Sequence, residues 1–385
     1  MHIGLTGPVD LSPLRPALDC EAPPIPSGPS TGWLARTWLD QGHRVTVFAM
    51  SDVVTSRAML GSGRLRLVVT PMRPSHRARD LFRYERRQLA AALREHPTDV
   101  VSAHWTYEYA LAAIASGRPA FVTARDTPLR YAWEMRTAYR WVRHTQALPA
   151  VHRATALSAN SPYTAQHLRR CLGARRPIEV IPNGVRTDAL PVSSAPPPGD
   201  TPVFAAALQG WGPMKNTKAL LRAFALVRTQ IRRARLLLLG SDHGSGGPAQ
   251  AWAADRELTA GVEFAGQLPH AAMLQRLAAE AHMLVHPSRL ESFSMICAEA
   301  MGMGLPVVAG RRSGAVPWVV ADAGLLVDID RPSQIAEAMI ALARDDERRM
   351  ALGAAGRDRV REQFSLNEIA RAYTDWFRTA ERRAS

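Results

Sequence analysis

The sequence predicts an α/β protein made of two doubly wound, parallel-sheet domains. Three observations carry that expectation. At 385 residues the chain is longer than one ordinary domain. Short apolar runs alternate with helical stretches through both halves, the pattern of parallel strands joined by crossover helices. Near the middle, Pro191-Val-Ser-Ser-Ala-Pro-Pro-Pro-Gly-Asp200 breaks this alternation with residues that resist regular structure, and it reads as a linker.

Taken in order, residues 2–7 form the opening strand and 31–41 a helix stopped by Gly42. Strands follow at 45–50 and 65–70, a helix at 79–95, short strands at 100–103, 120–123 and 156–159, and a last one at 178–181. Beyond the linker, strands are expected at 203–208, 235–240, 262–265, 283–286, 305–309 and 324–327, with helices between them. One helix begins near Thr217; another covers 295–301, with Gly302-Met-Gly304 ending it. Residues 365–378 form a long final helix. The domains are therefore drawn as 1–190, a linker at 191–200, 201–364, and a closing segment 365–385.

Composition narrows the function classes. Hydrophobic content of 46% and charged content of 21% are those of a globular protein. No apolar run approaches the ~18 residues of a membrane span, and Met1 to Pro8 reads as a strand rather than a signal peptide. Cys20, Cys171 and Cys297 have no paired spacing, so neither a disulfide framework nor a zinc site is expected and a reducing cytoplasm fits. The formal charge of +14 is dispersed, without the aromatic-interleaved patch of a nucleic-acid binder. Its densest run, Arg73 to Arg94, would set arginines opposite an apolar face of Leu81, Phe82, Leu89 and Leu93. It reads either as an ordinary surface helix or as a patch for the anionic inner face of a membrane.

Only two lysines occur, Lys215 and Lys218. Where arginine serves for generic positive charge, a remaining lysine suits a compact point charge on a phosphate. Lys215 follows a strand and a loop holding Gly210 and Gly212, and precedes a helix, an order suited to phosphate binding. The alternative is an exposed lysine in a loop. The richest stretch is His286-Pro-Ser-Arg-Leu-Glu291-Ser-Phe-Ser-Met-Ile-Cys-Ala-Glu299, running through Pro306 to Ala309. It sets Glu291 before a helix start and Glu299 inside that helix. Backbone N–H groups of Ser292, Phe293 and Ser294 and the helix dipole favour a diphosphate, while carboxylates accept bonds from sugar or ribose hydroxyls. A solvated first helical turn is the competing explanation.

That stretch resembles the E-x7-E region of retaining glycosyltransferases of family 4, whose GT-B architecture sets two Rossmann-like doubly wound domains facing a cleft. Further segments share the resemblance: Leu34 to Val45 with Gly42-His43, Ile181-Pro-Asn183-Gly184-Val185, and Val262-Glu-Phe264-Ala-Gly266. The resemblance implies a nucleoside-diphosphate sugar as co-substrate, an acceptor hydroxyl on a polysaccharide, lipid or secondary metabolite, and no metal or further cofactor. It implies Lys215 on the diphosphate, Glu291 on the sugar, Glu299 on the ribose, and Val262 and Phe264 near the base. Ser30 lies in a stretch, 28–32, that in the family faces the donor phosphates from the acceptor-side domain. His104-Trp105-Thr-Tyr-Glu108 offers an acceptor wall, or aromatic packing.

The chain also departs from the family pattern. Arg125 stands where many relatives have histidine, with Asp126 beside it. Arg125 either bonds a phosphate or an acidic sugar, or pairs structurally with Asp126. Trp211 replaces a phosphate-binding arginine and Ser294 a glycine. These changes motivate the alternative of a non-catalytic nucleotide-sugar-binding or partner subunit on the same fold.

Overall fold

The computed structural model describes residues 1–18, 21–194 and 201–384, so Cys20 and the proline-rich part of the expected linker lie outside the described residues. The chain divides into two compact units: Met1–Gly184 with Leu366–Ser385, and Val185–Ser365. The division falls at Gly184, and residues 185–190 go with the second unit.

The first unit holds a sheet of eight strands: β1 (His2–Thr6), β2 (Arg44–Ser51), β3 (Ala58–Leu60), β4 (Leu65–Pro71), β5 (Val100–His104), β6 (Ala120–Ala124), β7 (Ala156–Ala159) and β8 (Ile178–Val180). Their spatial order is β3-β4-β2-β1-β5-β6-β7-β8, and every pairing is parallel except β3 with β4. The central strands are buried on both faces, as parallel strands covered by helices require.

Local features differ from the sequence expectation at this end of the sheet. The short edge strand β3 was not anticipated. The expected helix over 79–95 begins only at Arg83 and runs to Glu95, because Leu81 and Phe82 adopt left-handed backbone with φ of 55° and 59°. Arg73 fixes this turn by bonding Asp80 at 2.7 Å and the fully buried Glu85 at 2.8 Å. Leu89 and Leu93 face the core as expected, whereas Leu81 is 43% exposed.

The last helix, Leu366–Ala384, completes the first unit's core. Leu366, Ile369, Ala370, Tyr373 and Phe377 repeat at helical spacing and are all buried. Their rings meet Trp38 and Phe121: Trp38–Tyr373 centroids are 5.9 Å apart and Phe121–Phe377 4.9 Å. Trp38 Nε1 donates to the Ala370 carbonyl at 3.1 Å, so the buried indole is satisfied.

The second unit carries β9 (Val203–Ala207), β10 (Arg235–Leu239), β11 (Val262–Gly266), β12 (Met283–His286), β13 (Val307–Gly310) and β14 (Gly324–Val327), in the order β11-β10-β9-β12-β13-β14 and parallel throughout. The chain builds outward from β9 through β10 and β11, then returns to place β12 on the other side of β9. That reversal creates a crevice beyond the carboxyl ends of β9 and β12, where open sheets of this kind hold ligands. Gly240 follows β10 with φ of 110°, and a Cβ there would sit 1.8 Å from the Leu208 carbonyl, so only glycine fits.

Candidate active site

The loops leaving β9 and β12 meet at that reversal. Arg289 N donates to the Met214 carbonyl at 2.7 Å, and Arg289 Nη1 donates to the Pro213 carbonyl at 2.6 Å. Thus fixed, Lys215 Nζ donates to Glu291 Oε1 at 2.8 Å. The same oxygen accepts from Ser288 Oγ at 2.8 Å and lies 3.5 Å from His286 Nε2, the last residue of β12. Glu291's backbone is held as well. Its carbonyl accepts from Ala315 N at 2.9 Å, and Gly314, at φ of 66°, lies so close that a Cβ would be 2.3 Å from that carbonyl oxygen.

Burial alone would raise the Glu291 carboxyl; the bond to His286 and the charge of Lys215 outweigh it and hold the group down at about 2. Glu291 is therefore an anion at neutral pH, paired with the Lys215 ammonium.

Two helices begin at this crevice, Thr217–Gln230 and Met295–Met303. Neither has a side-chain N-cap bond or an acidic residue in its first turn. The Asn216 side chain is committed elsewhere, donating to the Ile329 carbonyl at 2.8 Å. The positive ends of both helix dipoles therefore favour an anion near Lys215. The second helix extends past Gly302 to Met303 and stops at Gly304, whose φ is 88°.

Ser294, at the start of that helix, holds φ of 88° and ψ of 81°, a conformation that opposes a Cβ. Its Oγ lies 3.4 Å from His286 Nε2, a weak return for the strain. Ser294→Gly is expected to stabilise the protein by about 1 kcal/mol, relief of strain exceeding the entropy that glycine adds to the unfolded chain. A lowered urea midpoint would contradict this account.

Glu299, one turn into the same helix and 7% exposed, accepts from His270 Nε2 at 2.9 Å. That bond raises the imidazole's affinity for its proton. Cys297, fully buried between the two glutamates, has a thiol pushed up to about 12 by burial and offers no nucleophile.

The other donor-side residues fall in less uniform places. Gly212 is exposed in the loop before Lys215, whose N donates to the Gly212 carbonyl at 3.1 Å. Ser292 is partly buried beside Glu291. Phe293 is 1% exposed, packed on Phe364 at 5.3 Å and Trp318 at 6.2 Å, so its ring anchors the loop in the core. Val262 and Phe264 lie on edge strand β11, partly buried against the same apolar core on which Trp211 and Trp252 pack. Trp211 packs at a tilt against Trp252, with centroids 6.0 Å apart, and Lys218 lies 5.5 Å from the Trp211 ring, so the second lysine serves an aromatic surface.

In the first unit, the expected acceptor wall is a buried network. His104 is fully buried; its Nδ1 accepts from Arg125 Nε at 2.9 Å, and burial holds it neutral. Arg125, 6% exposed, also donates to Ser30 Oγ at 3.2 Å and to Asn183 Oδ1. Ser30 sits in the first turn of the helix Pro29–Asp40, not in a loop. Arg125 thus ties that helix to the segment before Gly184. Asp126 accepts instead from Tyr107 Oη at 2.6 Å, and burial raises its carboxyl to about 6. Trp105, at φ of 66°, packs against the core with Arg125 5.9 Å from its ring.

Sequence reasoning missed His286 and Ser288 as partners of Glu291, and His270 as the partner of Glu299. Ser288 carried a signal, standing three residues before Glu291. His270, on another helix, carried none. Among the described residues no grouping of three or more His, Cys, Asp or Glu could hold a metal ion, and no helix is long and apolar enough to cross a membrane.

Comparison with known proteins bears on the family and the fold. Residues 33–189 match the family described as Glycosyltransferase Family 4, and residues 197–359 match Glycosyl transferases group 1. The chain is 29% identical over 232 residues to a GDP-mannose-dependent monoacylated alpha-(1-6)-phosphatidylinositol monomannoside mannosyltransferase of Corynebacterium glutamicum, covering 56% of this chain and 60% of that protein. It is 33% identical over 253 residues to a D-inositol 3-phosphate glycosyltransferase of Xylanimonas cellulosilytica, covering 59% and 58%. The matched region thus spans about 60% or less of these relatives' length. Among solved structures, sucrose-phosphate synthase of Thermosynechococcus elongatus superposes with a TM-score of 0.76 at 19% identity, covering 100% of both chains. Anabaena HepE, crystallised with UDP and glucose, gives 0.71 at 15% identity, covering 98% of this chain and 100% of its own.

Proposed function

The chain belongs to family 4 of the GT-B glycosyltransferases, and from that premise we propose that it moves a sugar from a nucleoside diphosphate to an acceptor hydroxyl, with retention at the anomeric carbon. One observation carries the reading: the Lys215–Glu291 pair sits where β9 and β12 diverge, beside two helix N-termini without side-chain caps. A diphosphate arriving there competes for Lys215. As the ammonium turns to the phosphate, Glu291 is released to accept a bond from a hydroxyl of the donor sugar. The work is placement of the donor and neutralisation of the departing diphosphate, both electrostatic. Glu299, buried and ready to accept, holds the ribose in this scheme. No cofactor beyond the nucleotide sugar is invoked. The relatives' names support a nucleotide-sugar donor and span lipid-linked and water-soluble acceptors.

The test is release of nucleoside diphosphate from UDP-, GDP-, ADP- and TDP-hexoses, with and without alcohol acceptors. Release above background from at least one donor is expected, and none from any would defeat the proposal. Glu299→Ala should raise the donor KM about tenfold with kcat changed little, the loss of one charge-assisted hydrogen bond. A donor KM within twofold of the parent's would remove Glu299 from the ribose site.

A further inference from the structure

Among the described residues, large apolar side chains stand in the open at few places, and these are not scattered. Of eleven such residues, six fall in two stretches of the first unit: Leu81 and Tyr84, then Trp133, Met135, Tyr139 and Trp141. Trp133 is 60% exposed. Left-handed backbone at Leu81 and at Arg136 (φ of 49°) helps present them. The two stretches are fastened to one another. Gln146 Nε2 donates to the Leu81 carbonyl at 3.0 Å, and the Arg143 guanidinium lies 4.6 Å from the Phe82 ring and 5.0 Å from that of Tyr139. Trp133 and Trp141 also line a groove of about 570 Å³ together with Leu129, Tyr163, Arg130 and Arg170.

Positive charge is in excess on this face. Its acids are spent internally: Asp80 and Glu85 on Arg73, Glu134 on Arg130, and Glu108 on Arg143. Arg79, Arg83, Arg87 and Arg136 remain exposed around the aromatic residues. Exposed tryptophan and tyrosine amid arginine suit the boundary layer of a bilayer, where the rings meet acyl chains and the guanidinium groups meet phosphates.

We propose that this face, centred on Trp133 and Trp141, seats the protein on an anionic lipid bilayer. The helix Arg83–Glu95 joins it at one edge and is not the seat by itself. Binding of this kind needs no donor or acceptor, so it is measured apart from sugar transfer.

The experiment is co-sedimentation of the full chain with vesicles of phosphatidylcholine alone and with 30–40% phosphatidylglycerol, roughly the charge density at which a few arginines give measurable binding. The parent is expected to sediment with the anionic vesicles at low salt and to be released by salt. Trp133→Ser with Trp141→Ser, and separately Arg136→Glu, should each weaken the partition at least about tenfold. All three positions are exposed, and an unchanged thermal midpoint would certify the fold. Failure of the parent to sediment, equal sedimentation with neutral vesicles, or variants that bind like the parent would each overturn the proposal.

Discussion

Replacing Glu291 by glutamine is expected to lower kcat about 10²-fold while leaving donor affinity intact or tighter, an effect of the size seen when one charge-stabilising contact is removed from an active site. Glutamine keeps the shape and one acceptor oxygen but loses the charge. Lys215 then has no carboxylate at 2.8 Å to leave when the diphosphate arrives, so the ground-state complex does not weaken. What is lost is the anion facing the sugar as positive charge develops at the anomeric carbon. Steady-state kinetics with saturating donor, paired with a binding isotherm for the nucleoside diphosphate, separates the two quantities. A kcat within threefold of the parent's, or a loss confined to donor affinity, would remove Glu291 from the reacting centre.

The same substitution has a signature in acid. The Glu291 carboxyl is held at about 2, below its usual 4.5, so its contribution to folding is fully present above 4.5 and is lost as the pH falls toward 2. The parent should therefore lose stability relative to the glutamine variant across that interval, and the two pH profiles should converge at its acid end.

Lys215→Ala carries the second large effect. Removing the cation should weaken nucleoside diphosphate binding about 10²-fold, the order expected for truncating one partner of a largely desolvated charge contact. Ligand-induced stabilisation makes this visible. At a ligand concentration 100 times the parent's dissociation constant, the parent gains about 2.7 kcal/mol, whereas a variant binding 10²-fold more weakly gains only about 0.4 kcal/mol. The thermal shift should thus all but vanish. Lys215→Met, which keeps most of the side chain's volume, should behave alike if charge is what matters. A full shift in either variant would mean that the helix N-termini alone hold the diphosphate.

Both lead residues were legible in the sequence, but their contact was not. Lys215 stood out because so few lysines occur, and Glu291 because of its place before a helix. They lie 76 residues apart, and only the adjacency of β9 and β12 brings the two loops together. The strands were readable because double-sided burial makes each a continuous apolar run, as in Leu236 to Leu239. Edge strand β3, three residues long and half-exposed, leaves no such run. The helices Pro128–Met135 and Ala138–Arg153 were hidden for the opposite reason. Trp133, Tyr139 and Trp141 face outward there, so the usual relation between apolar residues and the core fails. Arg125 reads in the sequence as a ligand contact because it stands at a strand end; its bonds to His104 and Asn183 are invisible without the fold.

The helix Leu366–Ala384 has a consequence for biosynthesis. Trp38 and Phe121 leave the ribosome long before the side chains that cover them, Tyr373 and Phe377. All of residues 185–365 must be made in between, which takes on the order of ten to forty seconds at ordinary elongation rates. Through that interval the nascent first unit carries an open aromatic seam, a natural holding point for a chaperone. The second unit, continuous in sequence, can close first, reversing the order in which the two were begun.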